Sequence, residues 1–166
     1  MHETLHKGPQ EVPSSRAKRM SIYTEVEIDR PPEQVRHIFL DFPSYPAWTH
    51  GYIKSITGED PALAPGSKLR AVLATVTVSP RVLANSPDEF RWRGGLRGLP
   101  GLLTGDHMFV FTPSKTTPGG TTFAQAEGFS GLLTVFKSGD AQLWKSIKED
   151  FVGFNEDLKK RCEDAR

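Results

Sequence analysis

Cysteine is almost absent from this chain: Cys162 stands alone, so no internal disulfide can form, which fits a reducing compartment. Its place near the end of a helical pattern marks it as a structural thiol, buried or half-buried, rather than a nucleophile. Neither sign of charge is in excess, with 21 Lys and Arg against 20 Asp and Glu. Nucleic-acid binding by counterion release needs a concentrated basic face, so no nucleic-acid partner is expected. The clearest basic cluster, Arg16, Lys18 and Arg19, reads as a solvated run in an N-terminal tail. Long apolar runs are missing, and the start Met-His-Glu-Thr lacks the apolar centre of a secretory signal. The expected location is therefore cytoplasmic, without integral membrane association. HExxH, CxxC and compact carboxylate clusters are missing too, so no metal site is expected. The absence of G-x-S-x-G argues against a hydrolase triad. Gly94-Gly95-Leu96-Arg97-Gly98 has no following Lys-Ser/Thr and reads as a flexible loop, a gate rather than a phosphate cradle. No cofactor is called for.

What is present describes one folded α+β domain. Hydrophobic residues make up 37% and charged residues 25% of the chain, the balance of a globular protein. Residues 1–20, with Pro9, Pro13 and several charges, have little to bury and are expected to be a disordered polar tail; residues 21–166 form the domain. From Ile22 to Ile28 apolar and polar residues alternate as in a strand with one dry face. Pro31-Pro32 then opens a short helix with Val35, Ile38, Phe39 and Phe42 on one face, and Pro43 closes it. Tyr45-Pro-Ala-Trp48 is a compact aromatic turn. Strands are expected over 52–57, 68–73, 75–83, 89–94, 107–111 and 122–129, separated by turn sequences such as Asn85-Ser-Pro87-Asp88. Seven short strands in succession predict an antiparallel sheet. After Ser138, Leu143, Ile147, Phe151, Phe154, Leu158 and Cys162 recur at spacings of three and four. That pattern predicts a long amphipathic helix over about 138–160, capped near Ser138 or Asp140.

The order strand, two short helices, six strands, long helix is that of the helix-grip fold. Particular segments carry the resemblance: Pro31-Pro32-Glu33-Gln34-Val35, Asp41-Phe42-Pro43-Ser44-Tyr45-Pro46-Ala47-Trp48, Arg91-Trp92-Arg93-Gly94, Gly105-Asp106-His107-Met108-Phe109, and Glu127-Gly128-Phe129-Ser130-Gly131-Leu132-Leu133. On these the chain resembles the SRPBCC superfamily, which groups START lipid-transfer domains, pollen-allergen-like proteins and aromatic polyketide cyclases. The resemblance implies a curved seven-stranded antiparallel sheet wrapped around the C-terminal helix and enclosing an elongated cavity. It does not imply one function. Thr49 and His50 stand where the nearest subgroup has Asn-Pro.

The hairpin around Thr112 to Thr121 supplies the sharpest site argument. If Phe111 faces Phe123, then Phe109 faces Gln125 and His107 faces Glu127, all on one side of the sheet. The aromatic set belongs against the helix, which carries His107 and Glu127 inside with it. A carboxylate there could hold the imidazole in one tautomer or raise its basicity, giving a general acid or base. The same two residues could equally be a satisfied ion pair bracing two strands. Tyr45, Trp48, His50, Trp92, Phe129 and Trp144 complete the expected ligand-binding set with Phe109, Phe111, Phe123 and Gln125. Aromatic walls with few polar groups suit a flat or greasy ligand. Two readings follow: a carrier or sequestering protein for a small hydrophobic molecule such as a lipid, sterol or polyketide, or a cyclase/dehydratase in which His107 moves protons.

Overall fold

A computed structural model of the chain describes residues 20–95, 103–131, 134 and 140–164. The expected disordered tail, the remainder of the proposed glycine gate and the proposed helix start at Ser138 lie outside the described residues. The elements run β1 (Met20–Ile28), α1 (Pro32–Leu40), a 3-10 turn (Phe42–Ala47), β2 (Ile53–Gly58), β3 (Leu69–Leu73), β4 (Thr77–Val78), β5 (Arg81–Asn85), β6 (Glu89–Gly95), β7 (Thr104–Pro113), β8 (Thr121–Ser130) and α2 (Ala141–Asp164).

All pairings are antiparallel. Five strands order as β1-β8-β7-β6-β5 and three as β2-β3-β4. The run expected as one strand over 75–83 is two, because Pro80 has no N–H to give to a ladder. The break also joins the sheets. Leu69 N–H donates to Pro80 O at 2.8 Å, Val82 N–H to Ser67 O at 2.9 Å, and Gly66 N–H to Val82 O at 2.8 Å. Among the described residues eight strands therefore stand where seven were expected, and the α+β helix-grip architecture is retained.

Pro32 occupies the first turn of α1, where a missing N–H costs nothing. The helix buries Val35 and Phe39. Phe39 is the hub of the core. Its ring lies 4.7 Å from Phe109, 5.2 Å from Phe111, and 5.9 Å from both Phe90 and Phe123. Phe154 of α2 closes the cluster at 6.3 Å. One end of the grip is thus filled by aromatic rings.

The other end is not. Helix α2 starts at a cap in which the Asp140 carboxylate accepts the Leu143 backbone N–H at 3.0 Å. Its buried residues begin only at Phe151 and continue through Phe154, Asn155, Leu158 and Cys162. Leu143, expected in the core, is 37% exposed, and Ile147 is half-buried. The amphipathic pattern is right in phase, but in the first half of the stripe Leu143 and Ile147 reach over a cavity, and Trp144 and Ile147 are only half-buried against Ile22, Phe129 and Phe151. Cys162 is buried, and burial pushes its thiol up to about 12.

Candidate functional site

Beneath the first half of α2 lies a cavity of about 370 Å³. Trp92, Gly94 and Gly95 of β6, Gly105 and His107 of β7, and Glu127 and Phe129 of β8 form its sheet wall. Tyr52, Leu73, Thr75, Val76 and Val78 close a second side, and Leu143, Ile147 and Asp150 come down from the helix.

The register that places the polar groups is the one the hairpin pattern predicts. Phe111 pairs with Phe123, Phe109 with Gln125, and His107 with Glu127; on the next strand Trp92 pairs with His107. Side chains of directly opposed residues emerge on the same face. His107 Nδ1 accordingly stands 3.7 Å from Glu127 Oε2.

Behind His107 runs a chain of buried hydrogen bonds that fixes its tautomer. Gln125 uses both amide hydrogens elsewhere, donating to Phe151 O at 3.1 Å and to Asn155 Oδ1 at 2.5 Å. Asn155 Nδ2 in turn donates to Thr24 Oγ1 at 3.2 Å. Only the carbonyl oxygen of Gln125 remains for His107 Nε2, 3.0 Å away. Nε2 therefore carries the hydrogen, and Nδ1 presents a lone pair towards Glu127 and the cavity. The ring is also clamped by stacking, 4.1 Å from Phe109 and 4.6 Å from Phe151.

Charge on either partner would be costly here. Burial lowers His107 from 6.5 to about 3, against a smaller upward pull from Gln125. Burial, with help from the charge on Asp106, raises Glu127 from 4.5 to about 8. An ion pair and a neutral pair hold the same number of protons and differ only in which atom has the shared one. At 3.7 Å the two are beyond hydrogen-bond contact, so mutual attraction is weak against two desolvation penalties. The neutral form, a carboxylic acid facing an imidazole lone pair, is favoured at neutral pH. Space for the carboxyl comes from Gly105, where a β-carbon would overlap Glu127 Oε1 and stand 3.1 Å from Glu127 Cδ.

Of the residues expected from sequence to meet a ligand, Trp92, His107, Glu127 and Phe129 line the cavity. Phe109, Phe111 and Phe123 are buried around Phe39 instead. Gln125 sits one layer behind His107. Tyr45 is pinned in the core, its hydroxyl donating to Phe39 O at 2.6 Å, and Trp48 packs on it at 4.7 Å. His50 does not reach the cavity. Its backbone N–H and Nδ1 engage the Asp157 carboxylate at 2.7 and 3.1 Å, with the ring largely in solvent. Trp144 packs on Phe129 with its ring tilted and 5.1 Å away, outside the cavity wall.

Sequence reasoning missed Tyr52, the β3–β4 hairpin, Gly105 and Asp150. Two of these carried a signal. A glycine inside a strand marks a close approach by another group, and Asp150 lies seven residues after Leu143, on the apolar stripe of the helix. Tyr52 and the hairpin are brought to the cavity by the sheet's curvature, which no local pattern encodes.

Residues 19–163 match the family described as "Polyketide cyclase / dehydrase and lipid transport". Among curated proteins, none matches the chain in sequence. Solved structures do match in fold. A hypothetical protein of Helicobacter pylori superposes with a TM-score of 0.72 at 12% identity, covering 96% of this chain and 99% of its own. A START superfamily protein of Mycobacterium smegmatis gives 0.66 at 18% identity, covering 88% and 99%. Ara h 8.0201 gives 0.63 at 14% identity, covering 87% and 97%. At such identities the likeness speaks for the fold alone. Membership rests on the sequence match, which spans nearly all of the described chain: this protein belongs to the polyketide cyclase / dehydrase and lipid transport family of the SRPBCC superfamily.

Proposed function

We propose that the chain binds one small, largely apolar molecule in the cavity beneath α2, with a polar end of that molecule turned towards His107 and Glu127. The observation that carries this reading is the unfilled half of the grip. A helix whose stripe continues as Leu143 and Ile147, both lining the cavity and neither fully buried, leaves apolar surface for which a ligand is the natural cover. The cavity volume of about 370 Å³ lies within the range of small-molecule sites.

Titration with a neutral apolar fluorophore, N-phenylnaphthylamine, tests this. Saturable enhancement is expected, and Ile147→Trp, which projects an indole into the cavity from a half-buried helix position, should abolish it without lowering the melting temperature. No saturable signal in the wild type, or undiminished binding in the variant, would overturn the reading. Native mass spectrometry of protein purified from its own host would then identify the natural occupant.

A second reading, proton transfer in a cyclase or dehydratase reaction, is favoured by one specific feature. His107 Nδ1, an acceptor with its tautomer held by Gln125, faces the Glu127 carboxyl at 3.7 Å on the cavity wall. In that case Glu127→Gln should lower turnover by about 100- to 10,000-fold, the usual worth of general acid–base catalysis, while binding survives.

A further inference from the structure

We infer that the molecule this cavity accommodates is an apolar amine, engaged by Glu127 and Asp150, and that apolar acids are rejected. The inference rests on the ligand-binding reading above and adds the chemical class of the ligand.

The polar groups facing the cavity are strongly one-sided. Glu127 and Asp150 both line it, one from the sheet and one from the helix. Both act on Tyr52, another lining residue, whose hydroxyl is held well above its ordinary value by burial, then by Glu127 and by Asp150. No lysine or arginine is among the described lining residues. The nearby guanidinium of Arg93 is taken by the Asp106 carboxylate at 2.5 and 2.7 Å. His107 offers no compensating positive charge, because its Nε2 hydrogen is committed to Gln125 and its Nδ1 is an acceptor. Among the described lining residues the polar side chains therefore include two carboxyl groups, the Tyr52 and Thr75 hydroxyls and an imidazole with its lone pair free, and none carries a fixed positive charge.

A carboxylate or phosphate entering such a site would lose its hydration and meet the Asp150 carboxylate, with no cation among the described lining residues to offset the loss. An ammonium group meets the opposite situation. It brings up to three N–H donors for acceptors that otherwise lack a partner of opposite charge, and a positive charge for two acids. The aromatic rings of Trp92, Phe129 and Tyr52, which also line the cavity, are favourable surroundings for a cation. The proton balance closes. An amine arriving as ammonium displaces the Glu127 carboxyl proton to solvent, and an amine arriving neutral takes that proton onto its nitrogen. Either route ends in an ammonium–carboxylate pair. The titratable groups facing Glu127 in this exchange are His107, Tyr52 and Asp150 within the cavity, and Asp106 acting from the neighbouring strand.

A matched series tests it: naphthylethylamine, naphthylethanol and naphthylacetate, with the same ring and three different ends, titrated against the full chain at neutral pH. The amine is expected to bind about tenfold more tightly than the alcohol, the equivalent of moving one carboxyl pKa by about one unit. The acid should bind more weakly than either. The amine's advantage over the alcohol should shrink in Glu127→Gln and in Asp150→Asn, with wild-type circular dichroism showing that both variants are folded. An acid binding as tightly as the amine, or an amine no better than the alcohol, overturns the amine inference and leaves the ligand-binding reading intact. Failure of all three probes to bind overturns both.

Discussion

The neutral state of the His107–Glu127 pair makes a quantitative prediction about stability and pH. Folded Glu127 keeps its proton to about pH 8, whereas the unfolded chain releases it near 4.5. Between those values the unfolded state binds fewer protons, so stability falls as pH rises. His107 acts in the opposite sense. The unfolded chain protonates it below 6.5 and the folded chain only near 3, so stability falls as pH drops through that window. From about 4.5 to 6.5 the two slopes cancel: unfolding merely moves one proton from Glu127 to His107. Above 6.5 only the Glu127 slope remains, and about 2 kcal/mol should be lost by pH 8 at about 1.36 kcal/mol per unit. Urea unfolding of the wild type and of Glu127→Gln across this range isolates the effect. Glutamine keeps the shape of the protonated acid and cannot ionise. The wild-type stability minus that of Glu127→Gln should fall by about 4–5 kcal/mol between pH 4.5 and 8, because all other titrations are common to both. A flat difference would mean that folded Glu127 titrates normally. A difference that rises with pH would mean that the pair is an ion pair after all, and the tautomer argument would fail.

Four further outcomes are expected. Phe151→Ala should destabilise by about 3–5 kcal/mol in thermal or urea unfolding, since the ring is fully buried between His107 and Tyr52; a loss below about 1 kcal/mol would show that it lines empty space. Leu143→Ala, by contrast, should cost less than Phe151→Ala, because Leu143 is 37% exposed at the cavity rim. Gly105→Ala should drive the Glu127 carboxyl out of its place, and the difference between variant and wild type should show the same loss of pH dependence as Glu127→Gln. Deleting residues 1–19 should leave the melting temperature nearly unchanged, and a marked drop would show that the tail docks on the domain.

The sequence by itself settled the architecture and one face of one hairpin. Alternation along β7 and β8 has period two, so fixing Phe111 opposite Phe123 also fixed His107 opposite Glu127. The helical stripe from Leu143 to Cys162 gave the phase of α2, and Pro31-Pro32 the start of α1. These are local periodicities, and local sequence can express them. What filled the space between the elements was decided by tertiary structure. Phe39 reaches across to Phe109, Phe111 and Phe123, so three rings that a strand pattern assigns to a ligand became core. The same pattern could not say that packing stops at His107, where Gln125, Asn155 and Thr24 form a polar layer. Nor could it say that Tyr52 and Asp150 meet Glu127 across a gap. A cavity is the volume that side chains from distant segments fail to fill. That failure depends on the curvature of the sheet and the tilt of the helix, and neither is written in the spacing of any one segment.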